Sequence, residues 1–373
     1  MRSIFVTLLF LILLGSCVDE FNTDISSESG VLVVEARLSD NNDFTEVLLS
    51  RSSNLNSSNK PEAVLNAKVE IIDNLNNQYP MQQAGKTGEY RFESNPPQLI
   101  QENSYQLHIE LDNGEEFLSK PVIYNAPIEI GEINIDFVLD EVTVAGEVIR
   151  TPFLSLSETF ELQPNEHDTL YFYHDYEGVY AFQSPYQGSV VCYLDSTRVP
   201  SELVEVICYK HGETDIPSNI NYAVNNGSSN LNVLHIRPGY EFLIGYSMRI
   251  RRHRISKSFF EYMTDLKKQA DYGGSIFEAP PFKVQGNIEN VSKPASPALG
   301  FFSVESVNYS DRIFIGRDDI DGPIYENTTA AKCANTLDNE SATEEELIRP
   351  AAPCCDCRLE PGASDQKPEV WPN

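Results

Sequence analysis

The sequence predicts a mainly β protein: an N-terminal antiparallel β-sandwich, then a larger β-rich domain with one amphipathic helix and a disulfide-pinned C-terminal tail. Three observations predict it. Short apolar runs of period two recur from residue 31 onward, separated by Asn-, Asp- and Gly-rich turns. A single segment, about 256–271, carries helical spacing instead. Six of the seven cysteines lie in the second half of the chain, four of them near its end. With 373 residues, 41% apolar and only 22% charged, the chain has the material for two or three packed cores.

The first 30 residues are read as an address. One positive charge at Arg2 precedes the apolar run Ile4–Leu14, and Gly15-Ser16-Cys17 follows. These are the parts of a secretory signal, too short for a permanent span of about 20 residues. The small pair before Cys17 resembles the bacterial lipobox, in which the Cys becomes the lipidated first residue. We therefore expect a signal peptide over 1–16 and a lipidated tether over 17–30, with Cys17 as the attachment point. The alternative is a soluble secreted chain with an incidental Cys17. Asp19-Glu20, directly after the anchor, resembles the surface-export signal of some Bacteroidota lipoproteins; the other reading is a solvated acidic linker.

Residues 31–124 are strand and turn text. Val31–Leu38 and Thr45–Leu49 flank the turn cluster Asp40–Asp43. Ala67–Asp73, Gly88–Phe92 and Ser104–Leu111 alternate apolar and polar residues. Strands at this spacing predict a β-sandwich, and the pattern resembles the transthyretin-like, Ig-like or carboxypeptidase-regulatory modules. Pro121–Pro127 marks a seam, after which 125–317 is expected to form the second, β-rich domain. Within it, Phe259, Phe260, Met263, Leu266 and Ala270 define the helix, with Ser256 or Ser258 as cap and Gly273-Gly274 as stop. Residues 318–373 read as an irregular tail held by cysteines rather than by a core.

An exported chain with six further cysteines is expected to carry disulfides. The candidates are Cys192, Cys208, Cys333, Cys354, Cys355 and Cys357. Cys192 and Cys208 sit in similar strand text and are expected to pair across a hairpin. Cys333 is expected to join one of Cys354, Cys355 and Cys357. Zinc is the competing reading, disfavoured because the spacing lacks paired Cys-x₂₋₄-Cys motifs.

A formal charge of −29 opposes binding to nucleic acid, which rests on clustered Lys and Arg. The one basic cluster is Arg249, Arg251, Arg252, His253, Arg254 and Lys257. As strand text it places Arg249, Arg251 and His253 on one face and Arg252 and Arg254 on the other. Either these side chains pair with surrounding acids, or Arg249, Arg251, Arg252 and Arg254 form a docking patch for an anionic ligand. His108 and His235 fall in alternating strand text and read as structural. His167-Asp168 and His174-Asp175 would make a metal site if a hairpin joined them; the alternative is two solvated strand ends. Asp318-Asp319-Ile320-Asp321-Gly322 invites a calcium reading, but an EF-hand would need acids where Arg317 and Thr328 stand. No Gly-x-Ser-x-Gly elbow, His-Glu-x-x-His or phosphate loop occurs. No cofactor and no catalytic residue is assigned.

A family resemblance follows from landmarks spread over the chain. They are the lipobox, the early sandwich strands, Gly273–Pro281, Val284–Ile288, Leu299–Ser303, Cys354-Cys355-Asp356-Cys357-Arg358 and Lys367–Trp371. Together they resemble the Bacteroidota lipoprotein family catalogued as domain of unknown function 4249; the doubled Cys354-Cys355 departs from the single Cys expected there. The resemblance implies an outer-membrane lipoprotein facing the cell exterior, a non-enzymatic accessory or ligand-binding partner of a TonB-dependent outer-membrane channel. It supplies no ligand and no catalytic residues. A structural or adhesive envelope lipoprotein without a channel partner is the alternative, and a hydrolase with an unrecognised site is a third.

Overall fold

A computed structural model describes residues 30–53, 61–144, 147–161, 169–184, 206–213, 219–223, 228–270, 284–320 and 352–372. Residues 1–29, which hold the expected signal peptide, Cys17 and most of the expected tether, lie outside them.

The first sandwich begins with β1 (Leu32–Ser39) and β2 (Glu46–Arg51), an antiparallel pair. Strict alternation buries Leu32, Val34, Ala36 and Leu38 on one side of β1 and Val47 and Leu49 on one side of β2. Then follow β3 (Glu62–Ala63), β4 (Lys68–Asp73), β5 (Gln78–Ala84), β6 (Glu89–Arg91), β7 (Ser104–Glu110), β8 (Glu116–Ser119) and β9 (Val122–Ile123). One sheet runs β5-β6-β2-β1 and the other β5-β4-β7-β8. Strand β5 serves both, its first half on β4 and its second on β6. Tyr105, Leu107 and Ile109 of β7 face the residues of β1 and β2 across the core.

The second unit opens with the long hairpin β10 (Glu132–Val144) and β11 (Glu147–Glu161), followed by β12 (Leu170–Phe182), β13 (Cys208–Glu213), β14 (Asn219–Ala223), β15 (Ser228–Ile236) and β16 (Gly245–Ile255). Helix α1 (Lys257–Ala270), β17 (Ile288–Asn290), β18 (Leu299–Tyr309), β19 (Ile313–Gly316), the one-turn helix α2 (Ala352–Cys355) and β20 (Ala363–Ser364) complete the described strands and α-helices. A sheet β10-β11-β15 packs on a sheet centred on β12 and β16, with β13, β14, β18, β19 and β20 at its flanks. Leu154, Leu156, Val233 and Leu234 meet Met248, Ile250, Phe242 and Ile315 between these layers.

The two units share strands. Strand β17 closes the edge of the first sandwich by pairing with β8. The first half of β18 lies parallel to β1, from Val33↔Leu299 to Ser39↔Glu305, and its second half pairs with β16. The two sheets that residues 31–124 begin are thus finished by strands that start only at Ile288 and Leu299. The Gly-Asn-Ile and Gly-Phe-Phe segments are the pins of this return. Asn287 donates from Nδ2 to the Phe302 carbonyl at 2.9 Å and accepts from the Phe302 N–H at 2.8 Å, imitating a strand partner. Gly300 has φ +99°, and a Cβ there would stand 1.9 Å from the Val34 carbonyl oxygen.

The expected helix over 256–271 is α1, capped by Ser256, whose Oγ accepts from the Phe259 N–H at 3.2 Å. It straddles the units. Phe260 packs on Tyr171 of β12 at 4.9 Å between ring centres, while Tyr262 packs on Phe301 of β18 at the same distance.

One disulfide joins Cys208 to Cys357. This corrects the expected Cys192–Cys208 hairpin pairing. Cys208 faces the second core, and the C-terminal segment returns to it: β20 extends the sheet beside β13, and Cys357 is buried in the same cluster. Cys354 and Cys355 are also disulfide-bonded, so neither they nor Cys357 can serve zinc as thiolates. Cys192 and Cys333 lie outside the described residues. The tail also carries Trp371, seated edge-on between Tyr209 and Phe314 at 5.2 Å from each.

Candidate functional site

The register of β12, β16 and β18 builds an internal ladder of charge. Tyr173, His174, Asp175 and Glu177 of β12 stand opposite His253, Arg252, Arg251 and Arg249 of β16. Side chains alternate across the sheet, so this ladder divides between two faces.

On the face towards the first sandwich, Arg251 grips Asp175 with Nε–Oδ1 2.6 Å and Nη2–Oδ2 3.1 Å, and reaches Glu177 at 3.2 Å. Arg249 donates to Glu177 at 2.6 Å. His253 sits between Asp175 at 3.4 Å and Glu305 at 3.5 Å, stacked on Tyr173. Glu305, fully buried on β18, also accepts from the Tyr173 hydroxyl at 2.9 Å and pairs with Arg37 of β1 at 3.2 Å. Burial opposes charge on each of these groups, but the partners outweigh it. Glu305 and Asp175 are held below the usual carboxylate range and His253 is raised above an ordinary imidazole. The cluster is where the two sandwiches meet: Arg37 comes from the first, β12 and β16 from the second, and Glu305 from the strand they share.

On the other face, Arg252 contacts the Glu158 carboxylate of β11, donates to the Glu129 carbonyl at 3.0 Å and donates from Nε to His174 Nε2 at 3.2 Å. Accepting there, His174 is neutral, and burial pushes its pKa down to about 3. Arg254 donates to the Ala126 carbonyl at 2.9 Å.

These contacts correct the docking-patch reading for Arg251 and Arg252, whereas Arg249 and Arg254 are partly exposed and engaged by Glu177 and by the Ala126 carbonyl. Arg251 is 4% and Arg252 1% exposed, and their charges are answered inside the protein. The alternation read from the sequence is present; the partners Glu158, Glu305 and Arg37 were missed. Their one sequence signal is an acid or base at an inward position of an apolar strand, as Glu305 is in Phe301-Phe302-Ser303-Val304-Glu305. His174 and Asp175 point to opposite faces of β12, and His167 and Asp168 lie outside the described residues. Among the described residues, no three His, Cys, Asp or Glu side chains converge as metal ligands. Asp319 caps a short turn by accepting from the Gly316 N–H at 2.7 Å; Asp321 is outside the described residues. His108 bridges to Glu70 at 2.9 Å, and His235 to Asp140 at 2.8 Å.

The accessible feature beside this cluster is a cleft of about 680 Å³ between α1 and the outer face of β1 and β18. Phe259, Tyr262, Met263 and Leu266 form its roof, Leu299 and Phe301 its floor, and Tyr173 and Arg37 lead from it to Glu305. Its volume is that of a small-molecule or short-peptide site.

The family model described as domain of unknown function DUF4249 matches residues 18–310. The chain belongs to this family. The matched stretch contains the cleft, the charge ladder and the Asn287 and Gly300 pins, so the features that join the two units are inside the family's domain. No curated protein matches the chain.

Proposed function

We propose that this DUF4249 protein is an outer-membrane lipoprotein, anchored through Cys17 and facing the cell exterior, that acts as a non-enzymatic accessory or ligand-binding partner of a TonB-dependent outer-membrane channel. The observation that carries the reading is the aromatic-lined cleft beneath α1, a preformed concavity of ligand size. The pairing of the buried acids and histidines with arginines supports a non-enzymatic role, because groups so engaged are structural before they are reactive. The lipobox-like Gly15-Ser16-Cys17 supports the anchor, and no described helix is long and apolar enough to cross a membrane.

Purification of the native tagged protein in gentle detergent, with mass spectrometry of what stays bound, tests this. Stoichiometric recovery of a TonB-dependent β-barrel is expected. Recovery of the lipoprotein alone at both low and moderate salt overturns the channel partnership.

One observation favours the adhesive alternative. Among the described residues, β15 pairs only with Leu154–Glu161, so the outer half of the β10–β11 hairpin projects beyond it with Leu139 68% and Val148 64% exposed. Such apolar surface marks contact sites. Under that reading, replacing Leu139 and Val148 by Ser abolishes cell-surface attachment, and no barrel is recovered.

A further inference from the structure

The cleft beneath α1 has a charge as well as a shape. Its walls carry the rings of Phe259, Tyr262 and Phe301, with Phe259 5.2 Å and Tyr262 4.9 Å from Phe301. Among the described residues, three carboxylates, Glu35, Glu46 and Glu89, line it, and Arg37 is the one cationic lining residue. The Arg37 charge is already answered by buried Glu305 at 3.2 Å. Glu46 and Glu89 share Arg91, which stands outside the lining. That leaves Glu35. Its side chain projects from β1 on the solvent side, and its carboxylate has no hydrogen bond or ion pair among the described residues. It lies close enough to Tyr262 for its charge, after burial, to help raise the phenol's pKa.

A free carboxylate beside aromatic faces suits one class of ligand. Ring faces attract cations, apolar walls bury a hydrocarbon body, and the carboxylate answers the charge. An anion would meet three carboxylates and no uncommitted lining cation.

We propose that the α1 cleft binds an organic cation, an ammonium or guanidinium on an aliphatic or aromatic body, with Glu35 as its charge partner and Phe259, Tyr262 and Phe301 as its walls. This rests on the ligand-binding reading above and names the ligand class. The cation can be a free amine or a Lys or Arg side chain of a peptide, since the recognised chemistry is the same.

Calorimetric titration of the purified native chain at low salt separates these cases. Tyramine represents the free amine and phenylalanyl-arginine amide the peptide. Phenylacetate carries a similar ring with the opposite charge. Binding of tyramine, of the dipeptide or of both, without binding of phenylacetate, is expected, and which cation binds identifies the source. Glu35→Gln, an exposed and isosteric change, should weaken the bound cation about fivefold, the upper range for one exposed ion pair, and Glu35→Arg should abolish binding. Raising salt should weaken binding in the native chain and much less in Glu35→Gln. Phenylacetate binding as tightly as the cations, an unchanged affinity in Glu35→Gln, or no heat with any probe overturns the proposal. The test is independent of the channel: cation binding without a co-purifying barrel overturns only the partnership, and a barrel without cation binding overturns only this assignment.

Discussion

Glu305 shows what a single buried charge demands. It has Arg37, Tyr173 and His253 as partners, each from a different strand, and none is replaceable by water at a fully buried site. Glu305→Gln removes the charge that Arg37 and His253 answer. Loss of one member of a buried ion pair costs about 3–5 kcal/mol, which urea denaturation would register. The two buried histidines respond oppositely to pH. His174 stays neutral in the fold, its pKa depressed from 6.5 to about 3 by burial and then by His253. Between those values the unfolded chain binds the extra proton, so stability falls as pH drops through that window. His253, raised above 6.5, contributes stability that is fully present below that value and lost as pH rises through its folded pKa. His174→Gln keeps an acceptor for Arg252 without the titration. Its urea midpoint should therefore vary less than that of the native chain between pH 6 and pH 4; equal slopes would rule out His174 as the source of acid sensitivity.

Individual elements are positioned by close backbone approach and by covalent closure. Strand β18 lies so near β1 that Gly300 admits no side chain, with the Val34 carbonyl oxygen 1.9 Å from where a Cβ would stand. Gly300→Ala combines that clash with an unfavourable positive φ and should separate β18 from β1. Amide exchange of residues 33–39 would report it, with faster exchange expected there than in β7, away from the site. The Cys208–Cys357 bond spans 149 residues and holds the C-terminal segment against β13. Replacing both cysteines by Ser should cost about 2–5 kcal/mol. Trp371, the single tryptophan, packs on Tyr209 and Phe314, so its emission should shift to the red at lower urea than in the native chain. An unchanged emission midpoint would mean that packing alone seats the tail.

At the scale of the molecule, the shared strand makes the two sandwiches interdependent. Residues 31–124 supply most of the first core, but Ile288, Phe302 and Val304 of the same core arrive from β17 and β18. A fragment of residues 31–124 should therefore fail to fold, and appending 284–310 through a flexible linker should restore a β-type circular dichroism spectrum. A stably folded fragment would show the returning strands to be dispensable. The buried ladder adds to the same coupling, because Arg37, Glu305 and His253 bring charges from both units to one point. We expect a single cooperative unfolding transition.

What is legible in the sequence is what is local. Alternation in β1 and β7, the turn clusters and the helical spacing of α1 each depend on residues within a few positions and stand as expected, and of the two candidate caps Ser256 is the one used. The two-faced arginine strand was legible for the same reason, because side-chain alternation is a property of the strand alone. What answers those arginines was not. Glu158, Glu305 and Arg37 are remote in sequence, and only pairing between distant strands brings them to β16. The same holds for Cys208 with Cys357 and for the cleft, whose floor and roof come from segments that meet only when β18 returns to β1. Strand register is long-range: backbone hydrogen bonds are alike everywhere, so partner choice falls to the burial and close packing of the whole fold.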